Sequence, residues 1–365
     1  MKPSVAIARA VQAVWAENGV ISTMLLPLSW LTRIVTDRRR RRARQSTHRA
    51  GAAAPPVIVV GNLYVGGTGK TPVVIALAQA LQRRGRHPGV VSRGYGARIG
   101  PTPRVGTADT VTADRFGDEP ALIARAAGCP VAVHPRRTLA RDALLQQHPQ
   151  VDVILSDDGL QHWQLERSLE IIVQDARGTG NGRLLPAGPL REPVSRMADV
   201  DFIISNLLSN QQAPALPVAA TRARRINMRL QAAFVRRLQD GQAISWLDWL
   251  RQHGHMKLSA AAAIGRPERF FAMLRSQGAQ LFDTLALPDH HDYVESPFGS
   301  LRGDAVLITA KDGVKCGKFH DPRLWVVEAE PVFSDPDWTD EVVRRLEQMR
   351  QRTQHVVRDD RTPLN

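Results

Sequence analysis

The sequence predicts an α/β fold: a P-loop NTPase-like parallel sheet flanked by helices, joined to a second, smaller α/β domain and preceded by an amphipathic helix. Three observations predict it. The apolar run "VIVV" (57–60) leads through the glycine-rich "GNLYVGGTGKTP" (61–72) into the striped segment "TPVVIALAQALQRRG" (71–85), which is the strand–loop–helix order of a phosphate-binding loop. Short apolar runs then alternate with helix-period segments as far as residue 206, the pattern of a parallel sheet with crossover helices. Near 207–222 the composition shifts to Asn, Gln, Ala and Pro, which marks a boundary. The expected units are an N-terminal helix and basic segment (1–50), a core domain (51–210), a second domain (211–350) and an unstructured tail (351–365).

The elements follow in order. "VISTMLLPLSWLTRIV" (20–35) is shorter than the ~20 apolar residues that span a bilayer and is broken by Pro27 and Arg33. Ile21, Met24, Leu25, Leu28, Leu31 and Val35 share one helical face, and Trp15 and Trp30 suit an interface. "GAAAPP" (51–56) reads as a hinge, "PGVVSRGYG" (88–96) as a strand and its loop, and 97–115 as loop. "GDEPALIARAAG" (117–128) opens with acids and continues as a helix, a sound N-terminal signal. "CPVAVH" (129–134), "VDVILSDD" (151–158), "LEIIVQD" (169–175) and "DVDFIISN" (199–206) read as strands, with a helix at 136–148. In the second half, 259–278 reads as strand, turn and helix with Pro267 in the first helical turn; "LFDTLAL", "AVLITA" and "LWVVEAE" are further strands.

Composition narrows the class. Hydrophobic residues at 43% and charged residues at 23% are globular. Cys129 and Cys316 are too few for a disulfide framework and lie in no C-x-x-C pair, which excludes a dithiol centre. Of the net charge of +14, half lies in residues 33–49, where eight arginines face one acid, Asp37. Such a patch suits a polyanion, either nucleic acid or an anionic membrane leaflet, or stands as a solvated linker. The adjoining apolar face favours a helix lying in a membrane surface.

The chemistry gathers around the loop. Gly66, Gly67 and Gly69 permit a tight cradle of amides, Lys70 reaches the β- and γ-phosphates, and the Thr71 hydroxyl ligates Mg²⁺. Tyr64 stands where G-x-x-x-x-G-K-[ST] has its first glycine, with Gly61 three residues earlier. Asp157 and Asp158, ending a strand, read as Walker B acids; Asp118 and Glu119 form a second acidic pair at a helix entry. Arg137 and Arg191 are candidate phosphate clamps, and His290 and His291, between Asp289 and Asp292, suggest a His–Asp acid–base pair. No N-K-x-D base-reading motif is present, which removes the common GTPases. A small-molecule kinase fits one P-loop domain plus a second domain. An ATPase or metallochaperone, and a nucleic-acid-binding protein, are the rivals.

"LLPLSWL" (25–31), "VVGNLYVGGTGKTPVV" (59–74), "SRGYG" (92–96), "GDEP" (117–120), "SDDGLQH" (156–162), "GRLLPAGPLRE" (182–192), "IGRPERFF" (264–271), "PDHHDY" (288–293) and "TAKDGVKC" (309–316) occur in the order seen in the tetraacyldisaccharide 4′-kinases, the lipid A 4′-kinases of Gram-negative bacteria. The resemblance runs from about residue 25 to 330. It implies transfer of phosphate from ATP to the 4′-hydroxyl of a tetraacyl glucosamine disaccharide 1-phosphate, giving lipid IV-A at the cytoplasmic face of the inner membrane. It implies ATP and Mg²⁺ as cofactors, a lipid A precursor and the anionic membrane surface as partners, no nucleic acid, and a monomer. By motif, Tyr64, Val65, Gly66, Gly67, Thr68, Gly69, Lys70 and Thr71 match the ATP loop, in which Tyr64 departs from the family's small hydroxyl residue. Asp118 matches the general base and His290 its partner; Glu119, Asp157 and Asp158, with Thr71, match the groups near Mg²⁺. Tyr95, Arg137, Gln161, His162 and Arg191 match positions on the substrate side, and Ala310 departs from the usual T-E-K-D.

Overall fold

The computed structural model describes residues 11–15, 17–46, 54–216 and 222–359. The first half of the expected hinge, 51–53, lies outside them.

The molecule is built on one sheet whose strands, from one edge to the other, are Leu281–Ala286 (β11), Leu258–Ala262 (β10), Ala305–Thr309 (β12), Leu324–Phe333 (β13), Arg224–Arg237 (β8), Phe202–Asn206 (β7), Leu169–Asp175 (β6), Val57–Gly61 (β1), Val153–Asp157 (β5), Pro88–Ser92 (β2), Val131–Val133 (β4) and Arg104–Gly106 (β3), with the short Ala243–Ser245 (β9) paired to β8. Strand β1 (Val57–Gly61) lies between β5 (Val153–Asp157) and β6 (Leu169–Asp175), parallel to both. β2 (Pro88–Ser92), β4 (Val131–Val133) and β7 (Phe202–Asn206) extend the parallel set, and the edge strand β3 (Arg104–Gly106) runs antiparallel. In the other half β10 (Leu258–Ala262), β11 (Leu281–Ala286), β12 (Ala305–Thr309) and β13 (Leu324–Phe333) are again parallel.

The halves are joined by β8 (Arg224–Arg237), which pairs parallel with β7 and antiparallel with β13. The sequence reading placed no strand there. Arg225, Arg229, Gln231 and Phe234 are exposed and the other three arginines half-buried, while only Ile226, Met228, Ala232 and Val235 are buried, so the apolar signal is thin. The sheet is therefore continuous across the composition break, of which 217–221 lie outside the described residues. The loop expected at 97–115 contains β3 and a short helix, α4 (Ala113–Phe116).

Each half carries an apolar core on both faces of the sheet, as alternating strand side chains require. In β1, Ile58 and Val60 face one core with Leu77 and Leu81 of α3 (Lys70–Arg83), whereas Val57 and Val59 face the other with Leu144 of α6 (Arg137–Gln147). The second half has its own pair, one built around Trp249 and Phe271 and the other around Tyr293 and Phe298. The C-terminal helix α10 (Trp338–Asp359) returns to the first half, where Trp338 packs on Phe202 and Phe333. It carries regular structure into the segment expected as an unstructured tail, and 360–365 lie outside the described residues.

The N-terminal helix, α1 (Val20–Met24) and α2 (Leu26–Ser46), continues through the arginine cluster as far as the described residues reach, with 47–49 lying outside them. It docks by its polar side. Ser22 Oγ donates to Ala187 O and accepts from Asn181 and Arg183; Ser29 Oγ donates to Leu184 O at 2.7 Å and accepts from Ala187 N at 3.0 Å. Ile21, Met24, Leu28, Trp30 and Leu31 point outward, each at least half exposed. Trp15, read as an interface residue, is instead tied inward, its indole donating to Pro186 O at 3.0 Å.

Candidate active site

The loop after β1 has the backbone a phosphate cradle needs. Gly66 and Gly69 hold φ of 101° and 95°, and Gly69 is the N-cap of α3, so the helix's positive end faces the loop. At Gly69 a side chain is also excluded sterically, because an added Cβ would fall 2.2 Å from Asn206 Nδ2. Two asparagines shape the loop. Asn62 donates to Tyr64 O at 2.6 Å and Gly66 O at 2.9 Å, and Asn206 donates to Thr68 O at 3.0 Å. Neither role was visible in the sequence, since both asparagines lie outside G-x-x-x-x-G-K-[ST], which begins at Tyr64.

Tyr64 does not line the cleft. Its ring is buried, Arg177 stacks on it at 4.0 Å, and its backbone pairs with Leu190. The departure from glycine is absorbed on the protein side of the loop.

Lys70 Nζ lies 3.5 Å from Asp158 Oδ1, and Arg191 Nη1 donates to both Asp158 oxygens at 3.1 Å. Burial opposes the charge on Asp158, but Lys70 and Arg191 overcome it and hold the carboxyl down at about 2. Asp157 behaves oppositely. Burial first, then the nearby Glu119 carboxylate, pushes it up to about 7. Ser92 Oγ donates to Asp157 Oδ2 at 3.0 Å, while Oδ1 is buried with no hydrogen-bond partner. Gln161 links Arg191 to Glu192. Arg137 is 2% exposed and is spent on carbonyls, donating to His134 O and Asp157 O, so it braces the end of β5. Burial and the Arg137 charge push His162 down to about 4, leaving its imidazole neutral.

Across the cleft, His290 Nδ1 lies 2.9 Å from Asp118 Oδ2. Asp118 opens α5 (Asp118–Ala127) and is 4% exposed, whereas His290, from the second half, lines the cleft. Burial raises the Asp118 pKa, but hydrogen bonds from His290 and Lys315 outweigh it and keep the carboxyl below its ordinary value. The Tyr95 ring lies 4.7 Å from His290 and is 62% exposed. Glu119 lines the cleft with Lys311 at 3.5 Å. The cleft encloses about 1050 Å³ and brings together the loop, Asp157, Asp158, Gln161, His162, Arg191, Tyr95 and His290. Of the expected site residues, Tyr64 and Asp118 stand behind its wall.

The family model for tetraacyldisaccharide-1-P 4′-kinase matches residues 21–347. The chain belongs to this family. A tetraacyldisaccharide 4′-kinase of Bordetella petrii is 52% identical over 348 residues, 95% of this chain and 98% of that one. One from Herminiimonas arsenicoxydans is 45% identical and covers 91% of this chain and 94% of its own. A crystal structure of LpxK from Aquifex aeolicus in complex with ATP superposes with a TM-score of 0.73 at 25% identity, covering 90% of this chain and 99% of that one. The chain is thus a kinase of lipid A biosynthesis on an α/β fold with a mostly parallel sheet. Among its described residues no helix is long and apolar enough to cross a membrane.

Proposed function

We propose that this tetraacyldisaccharide 4′-kinase works at a membrane surface, transferring the γ-phosphoryl group of ATP to the 4′-hydroxyl within the cleft between its halves. The observation that carries the reading is the single cleft shared by the glycine-rich loop, the Asp157–Asp158 strand end and His290. The loop amides and Lys70 hold the triphosphate, and Arg191 keeps Asp158 ionised beside it. The residues fit Mg²⁺. Thr71 lies in the cleft wall, and the unpartnered Asp157 Oδ1 is an oxygen without other employment. When bound, Mg²⁺ neutralises charge on the β- and γ-phosphates.

The motif assigned Asp118 as base and His290 as its helper. Exposure supports the reverse order at the substrate. His290 faces the cleft and takes the hydroxyl proton at Nε2, while Asp118 behind it accepts from Nδ1 and stabilises the imidazolium. Tyr95, Gln161, His162 and Arg191 border the acceptor side, and Arg137 braces the strand end below them. The second half acts as a lobe closing the cleft.

The N-terminal helix rests on the cytoplasmic face of the inner membrane. Its polar serines face the protein and its apolar side faces out, the inverse of a helix packed on its own core. The adjoining arginines bind anionic headgroups, so nucleic acid is not the polyanion, and the enzyme acts as a monomer. The test is transfer of labelled γ-phosphate to a tetraacyl disaccharide 1-phosphate in mixed micelles. Protein that binds ATP yet gives no labelled lipid would overturn the proposal; ATP hydrolysis without any lipid requirement would support an ATPase instead.

A further inference from the structure

The segment "TAKDGVKC" has no part in the mechanism so far. It forms the short helix α9 (Ala310–Cys316) in the second half, and that helix packs against α5 of the first. Thr309 caps it, and the Asp312 carboxylate accepts from Thr309 Oγ1 at 2.7 Å and Ala263 N at 3.2 Å, pinning α9 to β10 and β12. Lys311 and Lys315, one turn apart, therefore leave the same side of a fixed element. They meet the two consecutive acids that open α5. Lys311 Nζ lies 3.5 Å from Glu119, and Lys315 Nζ lies 2.6 Å from Asp118 Oδ2.

Lys315 makes a second contact. Its ammonium donates to His291 O at 2.8 Å. The loop it grips holds His290 and Tyr293 at φ of 58° and 52°, a left-handed backbone that neither residue adopts without cost. A single cation thus holds both ends of the Asp118–His290 pair, the carboxylate directly and the imidazole through its loop. Lys315 itself is 14% exposed and does not line the cleft.

We propose that Lys315 is a positioning residue for phosphoryl transfer: it fixes Asp118 against His290 Nδ1 and staples the 288–293 loop, touching neither substrate. This rests on the reading of Asp118 and His290 as the proton-accepting pair. Asp118 belongs to the first half and Lys315 to the second, so the pair is complete only when the halves meet as they do here. The lysine makes closure a condition of proton removal, which guards ATP from use by an open cleft.

The experiment is a double-mutant cycle on the full-length protein in mixed micelles, using Lys315→Met, Lys315→Arg, Asp118→Asn and the Lys315→Met/Asp118→Asn pair. Nucleotide binding is followed with a non-hydrolysed ATP analogue. Lys315→Met is expected to lower kcat about 30-fold or more, with KM for ATP and analogue affinity within about twofold of the parent. Lys315→Arg should recover most of that loss. In the Asp118→Asn background, Lys315→Met should cost no more than about twofold, because the two act as one unit. A kcat for Lys315→Met within about twofold of the parent overturns the proposal, as does a full, additive loss in the Asp118→Asn background. If Lys315→Met does not fold, the Arg variant decides: an Arg variant that folds but stays as slow as Asp118→Asn overturns it. A parent-like rate for Asp118→Asn itself removes the underlying pair, an outcome separate from failure at Lys315 alone.

Discussion

Ser29→Ala tests how the N-terminal helix is held. Ser29 is 5% exposed, and its hydroxyl makes two long-range hydrogen bonds, to Leu184 O and from Ala187 N. Ala187 is fully buried, so the variant leaves its amide unpaired beneath the helix, while Leu184 O keeps the bond it accepts from Gly188 N at 2.9 Å. The orphaned amide costs about 1–3 kcal/mol of docking energy. At about 1.4 kcal/mol per factor of ten, undocking becomes roughly 5- to 150-fold more frequent. Hydrogen exchange read on peptides covering residues 20–35 should accelerate by that order, with the rest of the chain unchanged. Leu28→Ser, on the 55% exposed opposite face, should leave exchange alone and weaken binding to anionic vesicles. Exchange within about threefold of the parent in Ser29→Ala would refute the reasoning and assign docking to Trp15 and to Arg40, which pairs with Asp199, instead.

Three further perturbations follow from the same structure. Gly117 holds φ 96° and ψ 160°, and an added Cβ would fall 2.3 Å from Tyr95 O, so Gly117→Ala should cost about 2–4 kcal/mol in urea unfolding and lower kcat by displacing Asp118, with ATP affinity retained. Trp338→Ala empties a site 1% exposed between Phe202 and Phe333 and should cost about 3–5 kcal/mol by thermal or urea melting; a loss below about 1 kcal/mol would mean that the C-terminal helix is not part of the first core. His162 is depressed from 6.5 to about 4, so the unfolded chain binds the extra proton between those values and stability falls as pH drops through the window. With its partial exposure discounted, His162→Gln should remove roughly 1–2 kcal/mol of the loss between pH 7 and pH 4.5, read from unfolding midpoints; an unchanged slope would place the charge sensitivity elsewhere.

What the sequence made legible was whatever is encoded locally. Val57 to Arg83 read correctly because the strand, the glycines and the apolar stripe of the helix are all contiguous. The Asp157–Asp158 strand end and the Asp118 helix entry were equally plain. β8 was not, because its arginines mask a period-2 pattern that only its two neighbouring strands complete. Periodicity found the apolar face of the N-terminal helix, but which face meets the protein was decided by Ser22 and Ser29, seven residues apart and inconspicuous alone. Asn62, Asn206 and Lys315 were missed for one reason: each acts on a backbone or side chain that the fold brings near, and no spacing in the chain announces such a partner.

Residues 181–191 form a mechanical part of the molecule. Tyr64 of the phosphate loop pairs with Leu190, Val65 N donates to Pro189 O at 2.9 Å, and a few residues away Leu184 and Ala187 receive the serines of the N-terminal helix. The N-terminal helix and the glycine-rich loop are bolted to opposite ends of one short strut. Under the membrane docking proposed above, that strut would set the height of the γ-phosphate above the lipid plane. Sugar hydroxyls at that level would be presented for reaction, and those lying deeper or standing farther out would be passed over. The strut is a gauge as well as a brace, and lengthening it by a residue would move the reactive plane without altering a single catalytic group.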